Sequence, residues 1–385
     1  MDFLQKIEKV NLQSTDLVKS NGNWTTQSID NLLYSYVSGL SSKINAVADA
    51  TNNPHGYQPN AGNYLYDANG NTTYDLANKI ATVYNYLNLP SKFTKDDGTK
   101  QEIIYDASGT KWQTKTYDAN HNEIGKNSYL GTFEFSGNSL KMLHHPQGFI
   151  ENLAANLNVS GAATGNLTGA NIVSTQQITQ GGTTEYQASN AICLLPGFES
   201  TPIFKAEIAP TAGYQWNYLL RDHLGNTRVV FTDKNNDGLV KQSSNTTENE
   251  VLSFTNYSPF GLELGGSHQN LSYQFDYKFN GKEENGFSGL TDFGARMYDP
   301  AAVRWNRPDR FAEKYYNLSP YAAFGGNPLL FTDMNGDSPM MFKNGIYAEM
   351  FNNGKAEITG YNQRSTIGKN GKETFTGRQS FGFND

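Results

Sequence analysis

Residues 271–280 read LSYQFDYKFN, with strict alternation of character. Leu271, Tyr273, Phe275, Tyr277 and Phe279 fall on one side, and Ser272, Gln274, Asp276, Lys278 and Asn280 on the other. A period of two marks a strand with one buried face, so a ten-residue strand is expected here. A looser version recurs earlier. NYLYDANGNT (63–72), VYNYLNLPSK (83–92) and IIYDASGTKW (103–112) each join a tyrosine-bearing strand to a polar turn, and Tyr66, Tyr86 and Tyr105 lie 20 and 19 residues apart. That spacing is the length of one β-hairpin, which predicts stacked hairpins sharing a core. In DANGN and DASGT, Asn or Gly stands where φ must be positive, and Asp can bond its own downstream backbone. Residues 29–47 are ambiguous. Ile29, Leu32, Leu33, Tyr36, Val37, Leu40 and Ile44 fit a helical stripe, yet the same letters give two strands, LLYSYV and KINAV, joined by SGLSS. Gly39, the serines and the neighbouring hairpins favour the strand reading.

Composition agrees. The 385 residues include 23 Tyr and 22 Phe but only 17% charged residues, so an all-β fold is expected. From about 155 to 190 the chain is nearly free of charge and rich in Gly, Thr, Asn and Ala, which reads as a linker or an insertion. AICLLPGFESTPIFKAEI (191–208) adds two apolar strands around Pro196-Gly197, so residues 155–213 are taken as an inserted small β stack. The net charge of −7 argues against nucleic acid as a partner, since phosphate binding needs a basic stripe. Cys193 is the one cysteine, flanked by Ile192 and Leu194; it supports no disulfide or cysteine-based zinc site and reads as a small buried hydrophobe. No run approaches the roughly 20 apolar residues of a membrane span. The start, MDFLQKIEKVNLQST, lacks the apolar core of a signal peptide, and the pattern begins almost at once, so a longer parent chain is expected.

In their order, these motifs resemble a known family. The Tyr-Asp repeats are similar to the YD repeats of Rhs proteins. The stretch from YLLRDHLGNTRVVFTD (218–233) to DMNGD (333–337) resembles the Rhs repeat-associated core domain, through NYSPFG (256–261), YKFNGKEE (277–284), DFGARMYDPAAVRW (292–305), FAEKYYNLSPYA (311–322) and Asn327-Pro328. YLGTFEFSGNSLKMLHHPQGF (129–149) looks like the stretch that precedes this core, and EYQASNAICLLPGFESTPIFKAEI (185–208) is similar to short β-stack modules of secreted bacterial proteins. The resemblance implies YD hairpins over 1–154 in a curved, shell-like sheet, the β stack over 155–213, a core-domain plug with short helical or turn segments over 214–337, and a variable tail over 338–385. Such a shell encases a C-terminal toxin. Its expected partners are its own tail or a longer parent chain, an immunity protein, secretion machinery or surface glycans, and its expected place is outside the cell or on its surface.

In some relatives the core is also an aspartic self-protease. Two carboxylates sharing one proton activate water in such sites. Asp309 in NRPDRF and Asp333 in FTDMNGD stand where the family pattern has its two Asp-Pro motifs, and are the candidate catalytic pair. The pattern is broken here: Arg310 and Met334 follow the aspartates, Val303 replaces the glycine before Arg304, and Asp337 stands where cleaving relatives carry Leu at the scissile bond. Arg310 beside Asp309 would hold that carboxyl ionised. Turn capping, aspartate's more usual work, is the alternative.

Other chemistry is sparse. DKNNDG (233–238) copies the first half of a calcium loop with Asp233, Asn235, Asp237 and Gly238, but position twelve is Ser244 and the strand-like RVVF precedes it, so a turn is expected. His144, His145 and His223 have no second ligand at metal spacing. No nucleophile elbow or phosphate loop occurs, and no cofactor is expected. From Met341 onward six Lys or Arg face four Asp or Glu; the tail is short for an independent enzyme and reads as a truncated effector or a strand-rich cap. Packaging is therefore the expected function, with self-cleavage by Asp309 and Asp333 as the alternative and carbohydrate adhesion through exposed tyrosines as a third reading.

Overall fold

Each early hairpin is closed by the side chain that follows its tyrosine. Asp67 Oδ1 accepts the N–H of Asn71 at 2.8 Å, and Asp106 Oδ1 those of Ser108 and Thr110 at 2.8 and 2.9 Å. Asp118 Oδ1 accepts those of Asn120 and Asn122 at 2.9 and 2.8 Å. The short carboxylate stands in for a backbone carbonyl, and Gly70 and Gly109, at φ 84° and 89°, take the left-handed corner. The tyrosines have a different task. Tyr66 donates its hydroxyl to Ile44 O at 2.8 Å, Tyr84 to Thr72 O at 2.7 Å and Tyr105 to Pro90 O at 2.9 Å, so each ties its hairpin to the one before. Burial pushes all three phenols above their ordinary value, which keeps them protonated donors. Replacing Tyr105 with Phe is expected to lower stability by about 1 kcal/mol in urea denaturation, the worth of one such bond.

This wiring corrects the repeat register. Tyr86 is 82% exposed in a turn, whereas Tyr84 occupies the repeat position and Asn85 takes the aspartate's role, accepting the N–H groups of Leu87 and Leu89 at 2.9 and 3.0 Å. Asn offers the same acceptor oxygen as Asp, so the repeat survives the change of letter.

The computed structural model describes residues 12–20, 23–37, 42–57, 63–75, 78–152, 213–243, 245, 248–265, 273–314, 318–329 and 331–337, with the backbone of further strands between 157 and 208 and between 339 and 381. The fold is all-β. Helix among the described residues is confined to three-residue 3-10 turns at Phe279–Gly281, Ala312–Lys314 and Phe324–Gly326. The chain divides into two units, one of residues 1–126, 220–229 and 253–385, the other of 127–219 and 230–252.

In the first unit, Leu12–Ser20, Asn23–Tyr36 and Ile44–Asp49 form an antiparallel sheet. Tyr34 pairs with Val47, so the two expected strands form here rather than a helix, while residues 38–41 between them lie outside the described residues. Leu65–Tyr66, Thr72–Asp75, Ile80–Tyr84, Pro90–Lys95, Lys100–Tyr105 and Lys111–Tyr117 then pair antiparallel in chain order. One face of this ladder buries Ile80, Phe93 and Ile103 against Met297, with Phe287 and Leu290 alongside. On the other face Lys92, Glu102 and Lys115 stand opposite one another on successive strands, a solvated row of alternating charge. The later segment has its own aromatic core of Phe279, Phe293, Tyr298, Trp305 and Phe324.

The alternating stretch 271–280 departs from expectation. Phe275 and Phe279 are buried as the pattern requires, but no strand forms over residues 273–278. Its backbone is spent elsewhere: Lys278 N–H bonds Lys282 O, Lys278 O accepts from Thr227 N–H, and Asp276 O accepts from Glu284 N–H. Asn280 turns left-handed at φ 50° and ends the extended run. Leu271 and Ser272 lie outside the described residues.

In the second unit, residues 127–130, Phe133–Ser136, Ser139–His145, Gly148–Asn152 and the start of Tyr214–Arg221 pair antiparallel. Leu130, Phe133, Leu143, Ile150 and Trp216 stand in register across these strands, while Met142, Phe149 and Asn217 on the opposite face are buried. Leu157–Val159, Leu167–Ser174, Thr184–Leu194 and Phe204–Ile208 pair parallel in chain order, the arrangement of stacked coils. Cys193 lies on the third of these, its side chain outside the described set. DKNNDG is a loop: Asp233 accepts the N–H groups of Asp237 and Gly238 at 3.2 and 2.9 Å.

Candidate functional site

The turn DMNGD is built around one carboxylate oxygen. Asp333 ends the strand Phe331–Asp333, and its Oδ1 accepts the N–H groups of Asn335, Gly336 and Asp337 at 3.2, 2.7 and 3.2 Å. Gly336 sits at φ 80°, and a Cβ there would stand 2.9 Å from Arg296 N, so conformation and space both call for glycine. The chain then turns into Pro339–Lys343, which pairs back on Phe331–Asp333 and starts an antiparallel meander through Ile346–Met350, Ala356–Ile358 and Gln379–Phe381.

Arg296 fills the space beside this turn. The residue is 1% exposed; its guanidinium donates to Gly336 O and Pro320 O and lies 4.4 Å from the centre of the Trp305 ring. Its Nη2 is 2.9 Å from Asp309 Oδ2 and 3.6 Å from Asp333 Oδ2. The two aspartates singled out in the sequence therefore meet, with a cation between them. Burial pulls the guanidinium below its ordinary pKa, and Asp309, Asp333 and Asp337 pull it back. Asp309 also caps a turn, its Oδ1 accepting Phe311 N–H at 2.7 Å. Aspartic water activation needs the two carboxylates to face each other and share a proton, whereas here a guanidinium stands between them.

Arg310 does not engage Asp309. It pairs with Asp337 Oδ2, while Arg307 donates to Ala295 O. The expected neighbour pair is thus replaced by two longer-range pairs, because Asp309 points inward to Arg296 and leaves Arg310 on the outer side, 58% exposed. Val303 has φ 56°, a left-handed backbone that costs a β-branched residue on the order of 1–2 kcal/mol.

Sequence reasoning missed Arg296. Its only local sign was a cation between Ala295 and Met297 in a stretch otherwise apolar or aromatic. A second buried acidic site was also missed, where Asp75 and Asp299 line one cavity. His144, by contrast, has an ordinary explanation, its Nε2 lying 2.9 Å from Glu134 Oε1. Among the described residues no three His, Cys, Asp or Glu side chains converge as a metal site would require, and no helix is long and apolar enough to cross a membrane.

The fold is similar to a chain in the structure of the Tc holotoxin pore of Photorhabdus luminescens, at a TM-score of 0.50 and 14% identity over 87% of this chain and 14% of that one. Matches with the crystal structures of TcdB2-TccC3-Cdc42 and of TcdB2-TccC3 cover 86% and 82% of this chain and 14% of those chains, with 15% identity and TM-scores of 0.48 and 0.47. This chain thus spans about a seventh of the length of the solved chains it matches. No family model matches it, and no curated protein does.

Proposed function

We propose that this chain is a wall-and-seal part of an Rhs-type toxin shell. In this reading residues 214–337 act as the Rhs repeat-associated core domain, and the shell houses or presents the variable tail, 338–385, in interbacterial or host interaction. The observation that carries it is the shared dry core in which Ile80, Phe93 and Ile103 of the hairpin ladder close over Met297, Phe287 and Leu290. Lys111 fastens the same junction, with Nζ 2.6 Å from Glu283 Oε2 and 2.8 Å from Asp292 Oδ2. A repeat wall sealed by a later segment is what packaging asks of a chain. The likeness of fold to the Tc holotoxin pore supports it, as does the left-handed backbone at Val303. That role implies a secreted or surface location. Electron microscopy of the full-length gene product is expected to show a hollow wall around inner density, and a solid particle would remove the reading.

A self-cleaving role is the second reading, favoured by the convergence of Asp309 and Asp333 and by the position of Asp333 one turn before the tail. With Arg296 engaging both carboxylates, the expected result of intact-mass measurement is an uncut chain. A fragment ending near residue 337, lost in Asp333→Asn, would instead assign cleavage to the pair.

A further inference from the structure

Lys111, Glu283 and Asp292 meet with the parts of an amide-forming site. Lys111 opens its strand directly after the turn capped by Asp106, and its Nζ lies 2.6 Å from Glu283 Oε2 and 2.8 Å from Asp292 Oδ2. Glu283 and Asp292 are register partners on the antiparallel pair Glu283–Glu284 and Thr291–Asp292, so two like charges stand directly opposite one another. The turn between them is held by Asn285, whose Oδ1 accepts the N–H groups of Phe287 and Ser288 at 3.0 Å each. The other oxygen of Asp292, Oδ1, accepts Gly294 N–H at 2.8 Å. Lys282, beside Glu283 in the chain, donates to Met334 O instead, which leaves Lys111 as the amine at this carboxyl. An ion pair needs one acid. A second carboxylate gives the cluster a surplus of negative charge where the three side chains are only 13%, 15% and 10% exposed, and burying charge is costly. Amide formation uses both, one carboxyl to be attacked by the amine and one base to carry protons.

We propose that Lys111 and Asp292 condense into an isopeptide bond, with Glu283 as the proton carrier, and so cross-link the hairpin ladder to the later segment. The bond between Nζ and Asp292 Cγ forms, and the bond between Cγ and Oδ2 breaks. Glu283 draws two protons in turn from the ammonium nitrogen and passes them to Oδ2, which leaves as water. Glu283 ends ionised, as it began, while the ammonium and the Asp292 carboxylate become one neutral amide. No oxidant or further reactant is required. Charge developing on Oδ1 during the attack meets the Gly294 N–H already in place. Well-oriented intramolecular partners reach effective molarities on the order of 10⁵ M, and the low exposure keeps water from reversing the step. The new amide N–H is left facing the Glu283 carboxylate, which accepts it. The link joins positions 181 residues apart, so parting the ladder from the later segment would mean breaking a covalent bond. This holds for the junction itself, whatever the wall encloses.

Intact-mass measurement of the denatured full chain, followed over time after cell-free synthesis, tests it. The wild type is expected to come to weigh one water less than its sequence, and its protease digest to contain a branched peptide joining Lys111 to Asp292. Both are read on the wild type, so the test does not depend on a variant folding. Lys111→Arg keeps the cation without the amine nucleophile, and Asp292→Ala removes the acid; each should keep its full sequence mass. Asp-Gly turns such as Asp97-Gly98 also lose water by succinimide closure, and a deficit that persists in Lys111→Arg would assign the loss to them and overturn the cross-link. Glu283→Gln should form the link on the order of a hundredfold more slowly, the worth of a positioned proton carrier. A link formed at the wild-type rate in that variant would overturn the part given to Glu283. A wild-type chain at full sequence mass, with no branched peptide, would show an ion pair only and overturn the bond itself.

Discussion

Replacing Arg296 with methionine is expected to destabilise the protein by about 3–5 kcal/mol in urea at pH 7, the cost of stranding buried partners of a lost charge. Methionine retains an unbranched stem that can pack on Trp305, so the loss isolates the guanidinium. Without it Asp309 and Asp333 face each other in a dry pocket, 9% and 1% exposed at their side chains. Gly336 O also loses its Arg296 donor, while Pro320 O keeps the N–H of Asp309. The sign of the pH effect follows. Acid protonates stranded carboxylates and relieves their repulsion, so the deficit at pH 4.5 should be clearly smaller than at pH 7. A variant less than about 1 kcal/mol below wild type at pH 7 would show that Arg296 does not hold this turn together.

Trp305→Ala is the other large effect, again about 3–5 kcal/mol, from lost burial and the cavity left behind. Trp305 is 1% exposed and meets Phe293 edge to face at 5.0 Å, Tyr298 at 5.6 Å and Phe324 at 5.8 Å between ring centres. It also carries Arg296 on its face. The two substitutions touch, so their effects should not add: the double variant is expected to lose at least 0.5 kcal/mol less than the sum. Strict additivity in denaturant unfolding would mean that ring and guanidinium act independently.

The hairpins were legible because their chemistry is local. A tyrosine, an Asx residue and a glycine within five positions are enough to name strand, cap and corner, and residues 29–47 followed from the same logic. The register slip at Tyr86 came from reading the tyrosine alone; the Asx residue after Tyr84 was the better marker. Periodicity misled at 271–280, where alternation of burial is real but the backbone partners lie at Thr227, Lys282 and Glu284. Pairing is set by those distant groups, which a window of ten residues does not contain. The family pattern drew attention to Asp309 and Asp333, but not to the cation between them. Arg296, Asp75 and Asp299 acquire meaning only when separate stretches fold together, and a lone Arg or Asp among apolar neighbours carries no local signature of its partner.

The tyrosine ties bear on how such a chain can change length. Each repeat brings both its own cap and the hydroxyl that reaches back to its predecessor, so a whole hairpin can be gained or dropped by recombination and the junction rejoined with the same two bonds. An insertion of half a hairpin would leave a phenol with no carbonyl opposite and would invert the inward-facing positions of every later strand. Growth in units of about twenty residues is thus built into the wiring.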